Sequence, residues 1–193
     1  MPRVTALRPR RRGVAVELDG RVWRVLHEDV VVRTGLTVGQ ELTRERLRAV
    51  ARERRQVQAL TVATRALRHR DLSQRRLADR LERAGVREAE RVDALAALHR
   101  AGFVDDDRVA AGRARVLADR GYGDAAIRFD LEREGIDPDR IETAVAALES
   151  EAARAERIAS AHGRTPATAR RLGRRGFGDD SIEAALGRFA ETD

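Results

Sequence analysis

The 193-residue chain has no cysteine and no lysine. Without thiols it can form neither disulfides nor thiolate metal sites, which fits a reducing compartment. Aromatic residues make up only 3%, so a core has to come from Leu, Val, Ile and Ala, and few rings are left to stack on bases. No apolar run approaches the ~20 residues a membrane span needs, and charged residues, at 37%, are too frequent for one. Residues 1–13 are basic, yet no apolar stretch follows them, so they do not read as a secretory signal. The expected location is cytoplasmic, with no membrane partner. Walker-type phosphate loops and zinc spacings are missing too. The four histidines (His27, His69, His99 and His162) are never one helical turn apart, and none adjoins a nucleophile. The expectation is a non-enzymatic protein without catalytic residues, cofactor or metal.

What the chain does have is arginine. It accounts for all 39 basic residues. A coding bias toward Arg, Ala and Gly explains that more simply than selection for phosphate recognition, so position says more than identity. Residues 1–102 carry a net +11 and residues 103–193 a net −4. The basic half favours a polyanionic partner, with a long-range field only at low salt.

The organising pattern is a helix pair written three times. In residues 123–148, Ile127 and Leu131 lie four apart on one helical face. Gly135 follows the helix end, where a left-handed backbone suits a residue without Cβ. Asp137 caps the next helix, Pro138 fills its first turn, and Ile141, Val145 and Leu148 form its stripe. Residues 73–98 repeat this with Ser73 as cap, Leu77 and Leu81, Gly85, then Val92 and Leu95. Residues 164–189 do so with Thr165–Pro166, Leu172, Gly176, then Ile182, Leu186 and Phe189. A further helix precedes each pair, giving three helices in roughly 40–50 residues, the range of helical repeat architectures.

The spacing therefore predicts a mainly α fold: an elongated, curved array of three tandem three-helix repeats with a small N-terminal β-hairpin module. The parts are a basic flexible arm (1–13), a hairpin-plus-helix module (14–55), and repeats at 56–102, 103–148 and 149–193. In the module, Val14, Val16 and Leu18 alternate, Asp19–Gly20 turns, and Val22 to Leu26 returns. Trp23 is read as cover for the hairpin's apolar face. Residues 28–34 fit either a strand or a helix stopped by Gly35. Thr43 caps a helix through Leu47 and Val50, against which the marginal hairpin must lean.

Asp105, Asp106 and Asp107 read as helix-start charges, as do Asp179 and Asp180, since a calcium loop would need a glycine and a distal glutamate that are missing. On the middle helices, Arg76, Arg80 and Arg83 run beside the Leu81 stripe, and Arg171 and Arg175 flank Leu172. Asp130 and Glu134 hold the same flank beside Leu131. Stacked repeats align such faces, which predicts a basic–acidic–basic ribbon. Arg65, Arg68, Arg76, Arg80, Arg83, Arg171 and Arg175 are the candidate contacts to a filament or to DNA.

The order of these motifs resembles the RecX family of recombination regulators. Gly102, Phe103, Val104, Asp105 and Asp106 match its junction of glycine, two apolar residues and two acids. Gly123, Ile127, Leu131, Gly135 and Ile136 match its later motif, and Gly35, Leu36, Gly39 and Leu42 are similar to its N-terminal extension. The resemblance covers residues 14–190. Two positions depart from the family pattern: Val109 and Arg113 stand where bulky aromatics are usual, and Glu134 stands where a base is usual. The resemblance implies a bacterial, non-enzymatic regulator that binds the RecA recombinase filament, limits strand exchange and ATP hydrolysis, and acts in DNA repair and the DNA-damage (SOS) response; a monomer is expected. Binding to single- or double-stranded DNA would be weak and salt-dependent. The competing reading is a helical-repeat nucleic-acid-binding protein without a recombinase partner.

Overall fold

The computed structural model describes residues 1–187; Phe189, expected in the last apolar stripe, lies outside them. The described residues form three strands and ten helices. They divide into two compact units. Unit 1 comprises Met1–Arg70 and Ala78–Arg100, and unit 2 comprises Asp71–Leu77 and the chain from Ala101 onward.

Unit 1 opens with an antiparallel sheet in the order β1 (Val4–Arg10), β2 (Gly13–Leu18), β3 (Arg21–Leu26). Asp19 and Gly20 both have positive φ (48° and 79°), the primed turn whose twist matches a hairpin. The sheet has one strand more than expected. Residues 4–10, read as part of a flexible arm, pair with β2 from Val4↔Leu18 to Arg10↔Gly13. The arginines of this segment masked its apolar residues: Val4 is 1% exposed, and Leu7 packs on the same core. Val4 is also tied by its backbone to Gln40 (2.9 Å) and Gly39 (2.8 Å). Where β2 meets β3 the register shifts, with Val16 opposite Arg24 but Glu17 opposite Val22. Trp23 is the extra residue of this bulge, and it packs on the core as read.

The ambiguous residues 28–34 form helix α1 (Glu28–Thr34). The His27 imidazole accepts the Asp29 N–H (3.3 Å), and Gly35 ends the helix in the left-handed conformation. These two caps outweigh the β propensity of Val30 to Val32. Helix α2 (Arg44–Leu67) starts at Thr43, whose hydroxyl accepts from the Arg46 N–H (3.2 Å). It runs unbroken through residues 55 and 56, so the expected module boundary falls inside a helix; no Gly or Pro interrupts residues 44–67. The core of this unit joins Val4, Val16, Leu26, Val30, Leu36, Leu42, Val50 and Val57. Helix α3 (Gln74–Arg83) begins in unit 2 and ends in unit 1, and α4 (Glu88–Arg100) follows. The buried face of α4 is Glu90, Ala94 and Leu98, one turn apart each. Val92, read as part of its stripe, is exposed.

Unit 2 holds α5 (Asp106–Asp119), α6 (Asp124–Glu134), α7 (Pro138–Ala146), α8 (Glu151–His162), α9 (Pro166–Arg174) and α10 (Asp179–Leu186). Leu131 and Leu172, like Leu81 of unit 1, are fully buried. Each middle helix closes through its glycine in the same way. The N–H of the next apolar residue bonds back to that leucine's carbonyl, Val86 to Leu81 (3.0 Å), Ile136 to Leu131 (3.2 Å) and Phe177 to Leu172 (3.2 Å). The first helices share a spine of fully buried alanines: Ala59 and Ala63, Ala110 and Ala114, Ala155 and Ala159.

Two joints inside unit 2 use the same parts. At the first, the Ser73 hydroxyl, preceding α3, donates to the Glu134 carbonyl at the end of α6 (2.6 Å). Beside it the Gln74 N–H donates to Asp106 (2.8 Å), and the Arg75 side chain covers Gly135. At the second, the Gly123 N–H, preceding α6, donates to the Arg175 carbonyl just past α9 (2.8 Å). The Asp124 N–H there donates to Glu151 (2.5 Å). Gly123 lies so close to the Gly176 backbone that a Cβ has no room. In both, a helix start meets a helix end, and an acid from the first turn of the next three-helix set takes a free N–H.

Candidate functional site

Three of the candidate arginines come together in unit 1. Arg65 of α2 and Arg80 and Arg83 of α3 line one open groove of about 430 Å³ with Val62, Ala66 and Ala84. All three are exposed. The Arg83 Nε donates to its own helix at the Asp79 carbonyl (3.1 Å). Among the described residues, Arg65 and Arg80 form no ion pair, and no acid lines the groove. Arg68 lies three residues beyond Arg65, a neighbouring position on the same helix face, and is exposed. The small apolar residues let a partner approach closely, and the guanidiniums offer planar forks suited to carboxylate or phosphate. Unit 1 as a whole carries 22 arginines against 12 acids, and unit 2 carries 17 against 20.

The other candidates are arranged differently. The Arg76 Nε donates to Glu134 (3.1 Å), and Arg113 pairs with Asp130 and, at 3.4 Å, with Glu134. The Asp130 hydrogen bond raises the pKa of the Arg113 guanidinium, against the lowering effect of burial. Asp130 and Glu134 are thus internal counter-ions rather than the free acidic middle of a ribbon. Arg113, missed as a structural residue, was visible in the sequence only as a base where an aromatic was anticipated. The Arg175 Nη1 donates to the Arg120 (2.6 Å) and Gly121 (3.3 Å) carbonyls, and its guanidinium lies 5.5 Å from the Tyr122 ring. It satisfies the end of α5. Arg171 is half-buried and has no side-chain partner among the described residues.

The acidic cluster divides its work. Asp105 caps α5 through the Arg108 N–H (2.9 Å), a bond that holds its carboxyl below the ordinary 3.8. Asp106 takes the Gln74 N–H, and Asp107 pairs with Arg140 (2.7 Å). Surface rings are more available than the composition suggests, since Phe103 and Phe129 are exposed by 59% and 61%, and Arg133 stacks on Phe129 at 5.9 Å. Among the described residues, no cluster of His, Cys, Asp and Glu could hold a metal ion, and no helix is long and apolar enough to cross a membrane.

A helical scaffold built from recurring three-helix sets with a small β module defines a class, that of helical repeat proteins. Comparison with known proteins narrows it. No family model matches the chain. The chain is 35% identical over 85 residues to the regulatory protein RecX of Legionella pneumophila (strain Corby), covering 44% of this chain and 57% of that one. It is 38% identical over 76 residues to the regulatory protein RecX of Acidithiobacillus ferrooxidans, covering 39% and 51%. The matches thus span about half the length of these curated relatives. In fold it is similar to a crystal structure of regulatory protein RecX, with TM-score 0.82 at 20% identity over 97% of this chain and 100% of that one. It is also similar to RecX from Lactobacillus salivarius, with TM-score 0.61 at 17% identity over 68% and 94%. The curated relatives support assignment of this chain to the RecX family, and the two solved structures show the shared fold.

Proposed function

We propose that the chain is a non-enzymatic, cytoplasmic regulator that binds the RecA–DNA filament and mostly inhibits its recombinase and ATPase activities in DNA repair. The observation that carries this is the groove of Arg65, Arg80 and Arg83, three exposed guanidiniums lined by no acid. A lone surface ion pair contributes little; three unpaired cations around small apolar residues suit an anionic surface that desolvates on docking. Arg68 extends the same face. Arg76, Arg171 and Arg175 are secondary contacts, since Arg76 and Arg175 already serve the fold.

The test is filament ATPase and strand exchange with purified protein at micromolar excess in low salt. Inhibition is expected, and unchanged rates at saturation would overturn the proposal. Replacing Arg65, Arg80 and Arg83 together with Glu should weaken filament binding by at least roughly tenfold, about 1.4 kcal/mol or more. Replacing Asp130 and Glu134 with Ala should leave binding nearly unchanged. The alternative, a nucleic-acid-binding protein without a recombinase partner, is favoured by the net +10 of unit 1. It predicts equal affinity for naked strands and filaments with a steep salt slope.

A further inference from the structure

The two joints of unit 2 make one position in unit 1 conspicuous. Gly135 and Gly176, which close α6 and α9, are both covered, by the Arg75 side chain and by Ala126. Gly85, which closes α3, is not: a Cβ placed there would meet nothing within 4 Å. Beside it opens a cavity of about 170 Å³, walled by the Gly85–Arg87 turn, Arg54, Arg55, Gln58 and Glu90.

The chemistry of this place is inverted relative to its counterparts. Asp106 precedes the buried Ala110 by four residues, and Glu151 precedes Ala155 by four. Both acids accept a backbone N–H at the start of a helix (2.8 Å and 2.5 Å). The residue four before Ala59 is Arg55, a donor. Arg55 holds one oxygen of Glu90, and that hydrogen bond keeps the Glu90 carboxyl below the ordinary 4.5. Glu90 is only 7% exposed, and its other oxygen, Oε2, is buried without a hydrogen-bond partner among the described residues. The Arg54 and Arg87 side chains form no hydrogen bond or ion pair among the described residues, and Arg87 lies near enough for its charge to help lower the Glu90 carboxyl.

A ligand that completes this pocket brings oxygen anions to Arg54 and Arg87 and an N–H to Glu90. A phosphodiester backbone supplies the first and no donor, and Glu90 repels it. A polypeptide supplies both, a carboxylate from Asp or Glu and a neighbouring main-chain N–H. The geometry points to the Gly85 pocket as a docking site for an acidic segment of a partner protein. This deepens the regulator reading and rests on it for the identity of that partner.

The experiment titrates the full chain, labelled with ¹⁵N, with the blocked peptide Ac-Ala-Glu-Glu-Ala-NH₂ and, separately, with dimethyl phosphate, a phosphodiester without a donor, at matched ionic strength. The peptide is expected to shift the Gly85, Val86 and Arg87 amides saturably, and dimethyl phosphate is not. Arg54→Glu with Arg87→Glu should weaken the peptide by roughly tenfold or more. Gln58→Trp, which fills the cavity without changing charge, should do the same. No saturable shift, equal affinity in these variants, or tighter binding of dimethyl phosphate than of peptide would overturn the inference. The same variants are then assayed on the RecA–DNA filament, where a roughly tenfold loss is expected. A filament bound equally by wild type and pocket variants overturns the inference and leaves the regulator reading intact. A peptide bound in the pocket by a protein that binds no filament supports the pocket and overturns the regulator reading alone.

Discussion

Replacing Glu151 with alanine tests the joint between the second and third three-helix sets. One carboxylate oxygen accepts the Asp124 N–H at 2.5 Å and the other the Gly178 N–H at 3.0 Å, at the starts of α6 and α10. Burial pushes this carboxyl up, but those two N–H groups, the Ser181 hydroxyl and Arg154 pull it further the other way, to below 4.5. Hydrogen bonds to a charged acceptor contribute about 1.5–3 kcal/mol each. Glu151 is half-exposed, so water replaces part of that, and the loss should be about 2–4 kcal/mol. For a chain of this length that corresponds to roughly 4–16 °C in Tm. Glu151→Gln keeps one acceptor and turns an amide donor toward the other N–H, so it should cost at least half as much. Urea unfolding measures the total, and hydrogen exchange at Asp124 and Gly178 locates it. Glu132→Ala is the control, because Glu132 is exposed and its side chain has no partner among the described residues. If Glu151→Ala is as stable as that control, or exchange at the two amides is unchanged, the capping argument is wrong.

Gly123→Ala should destabilise by about 1–3 kcal/mol or more, because the new Cβ meets the Gly176 backbone, which cannot step aside as a side chain would. Gly85→Ala should cost only about 1 kcal/mol, the strain of its positive φ, since the space around it is open; comparing the two by urea unfolding separates crowding from conformation. Glu90, Asp105 and Glu151 all have folded-state values below their ordinary ones. The unfolded chain therefore binds more protons as the pH drops below about 4.5, and the stability these groups add above that pH is lost as it falls through their folded-state values. Urea midpoints that stay flat from pH 7 to pH 3 would contradict this.

Much of the helical pattern was legible because local signals agreed. Asp137–Pro138 and Thr165–Pro166 cap and open helices where their chemistry says they should, and Gly85, Gly135 and Gly176 stop them. The misreadings have a common cause, which is that a residue's type was taken for its surroundings. The arginines of residues 3–12 suggested solvent, while Val4 and Leu7 were making a strand. A module boundary near residue 55 fails for the same reason, since no Gly or Pro there can stop α2. Of the candidate site, Arg80 and Arg83 could be placed on one flank of α3 by periodicity, but not beside Arg65, which lies on another helix. The engagement of Arg76 with Glu134 and of Arg175 with the end of α5 could not, because those contacts join residues 58 and 55 positions apart.

The joints within unit 2 connect unlike surfaces, so neither surface is consumed by its own twin. A gene carrying one extra copy of the segment for residues 103–148 would encode a piece that finds a helix end to abut on one side and offers a helix start on the other. In such a scaffold, length is a property that tandem duplication can adjust without inventing a new seam.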